Sequence, residues 1–237
     1  MSDDLAIRIG VAFARQATQA PAARLCSACV EILDVSGAGV TIMSGMHSGP
    51  VCSSDERMGR LEDLQFSLGE GPCRDAFDIG RPVTEPDLGQ RDTGRWPNYT
   101  QPALILGARG VFAFPLNVGN ARIGVLTLYQ DAAGSLSDDQ TADSLVVADV
   151  LAQTMMTIQA RSRPPLLSID LTDANAHRTE VHQASGRLAV QLNINVAEAL
   201  MRIRAHAFVT DQSVADVAKK IVAHELWLDD DRTIGQQ

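Results

Sequence analysis

Apolar residues between positions 37 and 130 come in short runs rich in β-branched and aromatic side chains, whereas beyond position 173 they recur every three or four residues. The first pattern is that of strands and the second that of amphipathic helices. Gly37–Met43 and Pro50–Ser53 read as two strands joined by a Gly/Ser/His turn. Gly110–Asn117 and Arg122–Tyr129 read as a hairpin, because Gly119 and Asn120 between them suit a tight turn. Short helices are expected over residues 5–19, from Pro21 to Asp34, over 56–65 and over 71–79, with an extended segment at 82–85. Ser137 and Gln140 have the spacing of a capping box and open a helix that runs to about residue 160. That helix carries Leu145, Val146, Ala148, Val150, Leu151, Met155 and Ile158, more apolar surface than one sheet contact uses. A dimer seam built from helices 5–19 and 137–160 is therefore expected.

Pro164 and Pro165 end the mixed pattern, since neither can continue a helix. Three helices follow. One spans Asp173–Asn193, one starts at Asn195 with Val196, Ala199, Leu200, Ile203, Ala207 and Phe208 on its inner face, and one starts at Ser213 with Val214, Val217, Ala218, Ile221 and Val222 inward. The fold class is α+β: an antiparallel sheet flanked by helices, then a three-helix bundle.

Composition narrows the function. The chain has 237 residues and a net charge of −9, but the acid is uneven. Residues 1–160 hold 11 Lys and Arg against 19 Asp and Glu, while residues 175–228 hold 6 against 5. Phosphates would be repelled across the first part but not the second. No apolar run is long enough to span a bilayer and the first residues are acidic, so a cytoplasmic protein without membrane contact is expected.

Four cysteines at this length do not make a disulfide scaffold. Cys26 and Cys29 form a C-x-x-C, but no second cysteine or histidine pair follows at zinc-finger spacing, and Leu25, Cys29, Ile32 and Leu33 make one helical stripe. Both cysteines are read as core thiols, with no metal. The stretch Leu68–Arg74 contains Gly69 and Gly71 but lacks a Walker lysine and dinucleotide spacing, so it is read as a loop entering a helix with Pro72 in the first turn. No catalytic set is present, His47 being the one histidine before the break. No catalytic residue, cofactor or enzymatic activity is expected.

Met43, Phe66, Phe77, Trp96, Phe112 and Phe114, with Tyr99 among them, line an apolar ligand cavity or fill the core; Arg81 and Arg95 would meet an anionic ligand. In the last segment Arg187, Arg202, Arg204, His206, Lys219 and Lys220 are candidate nucleic-acid contacts or an ordinary solvated surface. Gly186 inside a helix costs about 1 kcal/mol relative to alanine, which close helix packing or approach of a ligand backbone would justify.

At these residues the chain resembles known families. Gln183–Gly186, Ala197–Leu200, Ile203–Ala207, Asp216–Ala218 and Ile221–Ala223 are similar to the ANTAR domain, a three-helix RNA-binding module of bacterial transcription antiterminators. Leu68–Cys73, Gly80–Val83, Gly110–Leu116 and Arg122–Leu126 resemble a GAF sensor domain of the kind paired with ANTAR in actinobacteria. The resemblance implies a GAF-like domain at 1–160, a linker at 161–174, an ANTAR domain at 175–228 and an acidic tail at 229–237. It implies a signal-responsive antitermination regulator that binds RNA hairpin loops, with a small molecule or regulatory protein acting on the GAF domain. The family positions matched are Ala184, Gly186, Arg204 and Ala207, of which only Arg204 has a side chain suited to RNA; with the candidates above, the expected RNA-binding set is Gly186, Arg187, Arg202, Arg204, His206 and Lys219. The competing reading is a dimeric ligand sensor whose last bundle binds a protein. Ser185 stands where many members have lysine, Gln212 lies in a turn often carrying arginine, and the end of the chain is acidic, so weaker RNA binding presented by a dimer is expected.

Overall fold

The computed structural model describes residues 23–44, 47–90, 94–161, 173–210 and 212–228. The expected helix at 5–19, most of the expected linker and the acidic tail lie outside the described residues. Two compact units divide at Asp170 and Leu171.

The first unit is one five-stranded antiparallel sheet between two helical layers. Its strands are β1 (Gly37–Ser44), β2 (His47–Ser53), β3 (Val83–Glu85), β4 (Gly110–Val118) and β5 (Ala121–Gln130), in spatial order β2-β1-β5-β4-β3. Helices α1 (Ala23–Leu33) and α5 (Asp138–Arg161) cover one face; α2 (Glu56–Leu68), α3 (Pro72–Ile79) and α4 (Thr100–Ile105) cover the other. Alternation along β4 sorts its side chains. Phe112, Phe114 and Leu116 join the core under α1 and α5, while Val111 and Ala113 join the core under α2–α4.

Local chemistry explains the element ends. Ser137 and Gln140 form the reciprocal capping box, each backbone N–H donating to the other side chain at 3.0 and 3.1 Å. Gly71 caps α3 with φ 129° and Pro72 follows in the first turn, as the loop-to-helix reading of this stretch expects. At Gly124 a Cβ would stand 2.3 Å from the Thr41 carbonyl oxygen, so β5 can lie against β1 there only without a side chain. Helix α4 was not expected from the periodicity, because six residues are too few to show it.

The cysteines correct one expectation. Cys26 is not a core thiol: it is joined to Cys52, tying α1 to β2 with Cα atoms 5.8 Å apart. Cys29 is a buried free thiol on the same helix, and desolvation pushes its pKa up to about 12.

The second unit packs α6 (Asp173–Leu192), α7 (Val196–Val209) and α8 (Val214–Val222). Asn195 and Ser213 cap α7 and α8, their side chains accepting from Glu198 N and Asp216 N. Its core is Val181, Ala184, Leu188, Ala199, Ile203, Ala207, Val214, Val217, Ala218 and Ile221. Phe208, expected inward, is 73% exposed, because the helical turn after Ala207 carries it past the contact with α6.

Candidate sensor face and nucleic-acid interface

On the α2–α4 side of the sheet, polar side chains are built into the core. Glu62 is buried on α2 and accepts from Thr41 Oγ1 and Ser53 Oγ, both at 2.8 Å, so one carboxylate holds the first two strands. Gln65 Oε1 accepts from Cys73 N at 2.7 Å and thereby orients the start of α3. Tyr99 is fully buried beside Cys73; desolvation first, and then the neighbouring thiol, raise its pKa. Gln65 Nε2, Tyr99 OH and Thr127 Oγ1 are buried without a hydrogen-bond partner. Each such atom costs about 1–3 kcal/mol unless something polar reaches it.

The aromatic residues expected to line one cavity are divided by the sheet. Met43, Phe77 and Trp96 pack on the α2–α4 side, whereas Phe112 and Phe114 lie in the opposite core, so the set does not enclose a single space. Phe66 is half-buried on α2. Trp96 donates through Nε1 to Asp75 at 3.2 Å, and Arg95 covers its ring with the guanidinium 4.7 Å from the centroid. Arg95 also pairs with Asp75 at 2.8 Å, which occupies the charge expected to greet an anion. Arg81 is exposed in the turn after α3.

In the second unit the cations fall on all three helices. Lys219 of α8 stands 4.0 Å from Glu180 of α6, and Arg187 of α6 reaches the end of α8, donating to the Val222 carbonyl at 3.4 Å. On α7, Arg202 pairs with Glu198 one turn away at 3.1 Å, His206 is half-buried and Arg204 is half-buried near the core boundary. Lys220 donates to Gln212. Gly186 has open space where a Cβ would be: apart from its chain neighbours and its own helix backbone, no described atom lies within 4 Å. Internal helix packing is therefore not the reason for this glycine. Ser185, one residue earlier, is fully buried and donates to the Val181 carbonyl at 2.9 Å, so that position points into the bundle rather than toward a surface ligand.

A model of the GAF domain matches residues 19–156, and a model of the ANTAR domain matches residues 170–222. The chain belongs to the GAF-domain family. Its second unit is an ANTAR domain, and the combination is that of a regulator with a sensory domain followed by an RNA-binding antitermination domain. No curated protein matches the chain. Among solved structures, the GAF domain of a phosphoenolpyruvate-protein phosphotransferase from Coxiella burnetii is 15% identical, with TM-score 0.48, covering 66% of this chain and 95% of that one. The corresponding Acinetobacter GAF domain is 10% identical, with TM-score 0.49 and coverages of 67% and 95%. A type II free methionine-R-sulfoxide reductase from Thermoplasma acidophilum is 17% identical, with TM-score 0.44 and coverages of 56% and 91%.

Some residues of the GAF and ANTAR domains were not legible in the sequence. Glu62 looks like any helical carboxylate, since nothing local marks it as the one facing the sheet. A signal existed for Trp227: it lies between Leu226 and Leu228, after the last expected helix and directly before Asp229, Asp230 and Asp231, an apolar cluster where the helical pattern has ended. Among the described residues no helix is long and apolar enough to cross a membrane.

Proposed function

We propose that this protein is a signal-responsive transcription antitermination regulator, in which the GAF domain receives a small molecule or partner and the ANTAR domain binds RNA hairpins that compete with a terminator. The observation that carries this reading is the ANTAR match over residues 170–222, which falls on the separate three-helix unit. Two features support it. Gly186 leaves the outer side of α6 open beside Arg187, as close approach of a nucleic-acid backbone requires, and residues 175–228 lack the net negative charge that the GAF domain carries. On the sensory side, Gln65 Nε2, Tyr99 OH and Thr127 Oγ1 favour a small polar ligand over a purely apolar one. The protein works by binding rather than catalysis, in the cytoplasm, as a dimer whose seam includes the exposed Leu145 and Met156 of α5.

The test is binding of the full-length chain to a two-hairpin RNA over a range of salt concentrations. Affinity falls steeply as salt rises, and Lys219→Ala reduces that slope by about one contact. Binding that ignores both salt and the substitution would count against the proposal. A second reading, in which the bundle binds a protein, is favoured by Met201, Phe208 and Val209, all exposed on α7. A pulldown that recovers protein and no RNA would select it.

A further inference from the structure

The ANTAR match ends at residue 222, and backbone hydrogen bonds carry the described chain on from Ala223 to Leu228. His224 takes φ 64°, a left-handed conformation normally given to glycine at a helix end. The N–H groups of His224, Glu225 and Leu226 close the last turn by donating to the carbonyls of Ile221, Lys220 and Lys220, at 3.2, 2.8 and 3.2 Å. Gln191 Nε2 then donates to the Leu228 carbonyl at 3.2 Å, so the segment folds back along α6.

This arrangement holds Trp227 outward, 58% exposed, with the Arg187 guanidinium 5.9 Å from its ring centroid. The His224 ring lies edge-on to the indole at 6.2 Å, and the terminal nitrogens of Arg187 rest against the two ring nitrogens of His224. Among the described residues Arg187 meets imidazole, indole and a backbone carbonyl but no carboxylate, so its charge is not neutralised. Next to it on α6, Gly186 offers bare helix and Val190 is 84% exposed. A flat aromatic face, a cation without a carboxylate partner among the described residues, an aliphatic rim and an uncovered helix backbone are the complement of one nucleotide turned out of a helix: base, phosphate and ribose.

We propose that Trp227 and Arg187 form a stacking site for an unpaired base of the bound RNA loop, with the base on the indole, its phosphate at the guanidinium and its sugar passing over Gly186. This inference rests on the RNA-binding reading above. Asp229, Asp230 and Asp231 follow in the sequence and oppose general phosphate attraction at this end of the domain. The site therefore adds recognition of an exposed base rather than nonspecific affinity. Stacking is largely insensitive to salt, so it is separable from the contribution of Lys219.

The experiment uses the full-length protein and a pool of two-hairpin RNAs with randomised loops. Wild-type protein enriches RNAs from the pool, Trp227→Ala weakens binding of the selected RNA about tenfold with the salt slope unchanged, and Trp227→Phe retains most of the affinity. The chain has two tryptophans, and Trp96 is buried, so acrylamide quenching of the native protein reports Trp227. RNA shields that emission if the base stacks. Wild-type affinity in Trp227→Ala, or an indole still fully quenchable in the complex, overturns the stacking site while leaving the RNA-binding reading intact. Failure of the unmodified chain to enrich any RNA overturns that reading and the stacking site with it. Loss of a dimer, rather than of RNA, on Trp227→Ala would make the patch a contact between copies and equally overturn the proposal.

Discussion

Trp96, Tyr99, Phe112 and Phe114 are all buried in the GAF domain, whereas the described ANTAR helices pack on alanine, valine, leucine and isoleucine and leave Phe208 and Trp227 in water. Architecture accounts for the difference. Helices laid on both faces of a sheet leave thick layers that large rings can fill, while three short helices meeting through Ala184, Ala199, Ala207 and Ala218 approach closely and enclose little. A bundle this small has few fully enclosed positions. Its aromatic residues are therefore available for contacts outside the domain, while those of the GAF domain are committed to its core. The comparison also separates the kinds of polar group. Glu62 and Gln65 hold the GAF domain together from within; Arg187 and Lys219 stand at the α6–α8 edge, partly open to solvent.

The largest effect should come from truncating a ring on each side of this divide. Phe114→Ala is expected to cost the GAF domain about 3–5 kcal/mol through lost burial and the cavity left behind, while Phe208→Ala changes stability by less than about 0.5 kcal/mol. Urea unfolding of both variants checks this, and equal losses would erase the contrast. Reduction of the Cys26–Cys52 bond is next. It relaxes a loop with a sequence separation of 26 and should lower GAF-domain stability by about 3 kcal/mol without moving the ANTAR transition. Calorimetry with and without a thiol reductant measures it. The smallest effect has the opposite sign. Gly186→Ala should stabilise the ANTAR domain by up to about 1 kcal/mol, since helix propensity improves and the new methyl meets no described atom of another element, and yet weaken RNA binding. A variant that melts higher and binds RNA undiminished would show that the open side of α6 faces only solvent.

Much of the fold could be read from local pattern. The β4–β5 hairpin, the capping box at Ser137, the caps at Asn195 and Ser213 and the inward residues of α8 all depend on neighbours within a few positions. The candidate site was less legible. Arg187, Lys219 and Gly186 were visible as residue types at a helix surface, but Trp227, the partner of Arg187, lies about eight turns of helix and three connecting segments away in sequence. No periodicity joins residue 187 to residue 227.

The order of residues alone decided which segments coil, which extend and where the prolines at 164 and 165 interrupt the pattern, because torsional preference, capping and amphipathic spacing act between near neighbours. Only the folded chain decided that the sheet runs β2-β1-β5-β4-β3, that Phe114 and Trp96 occupy opposite sides of it, that Cys26 meets Cys52, that Ser185 turns inward and that Trp227 rests beside Arg187. Those relations join residues distant in sequence, and packing selects among them by the area and hydrogen bonds that all the elements bury together.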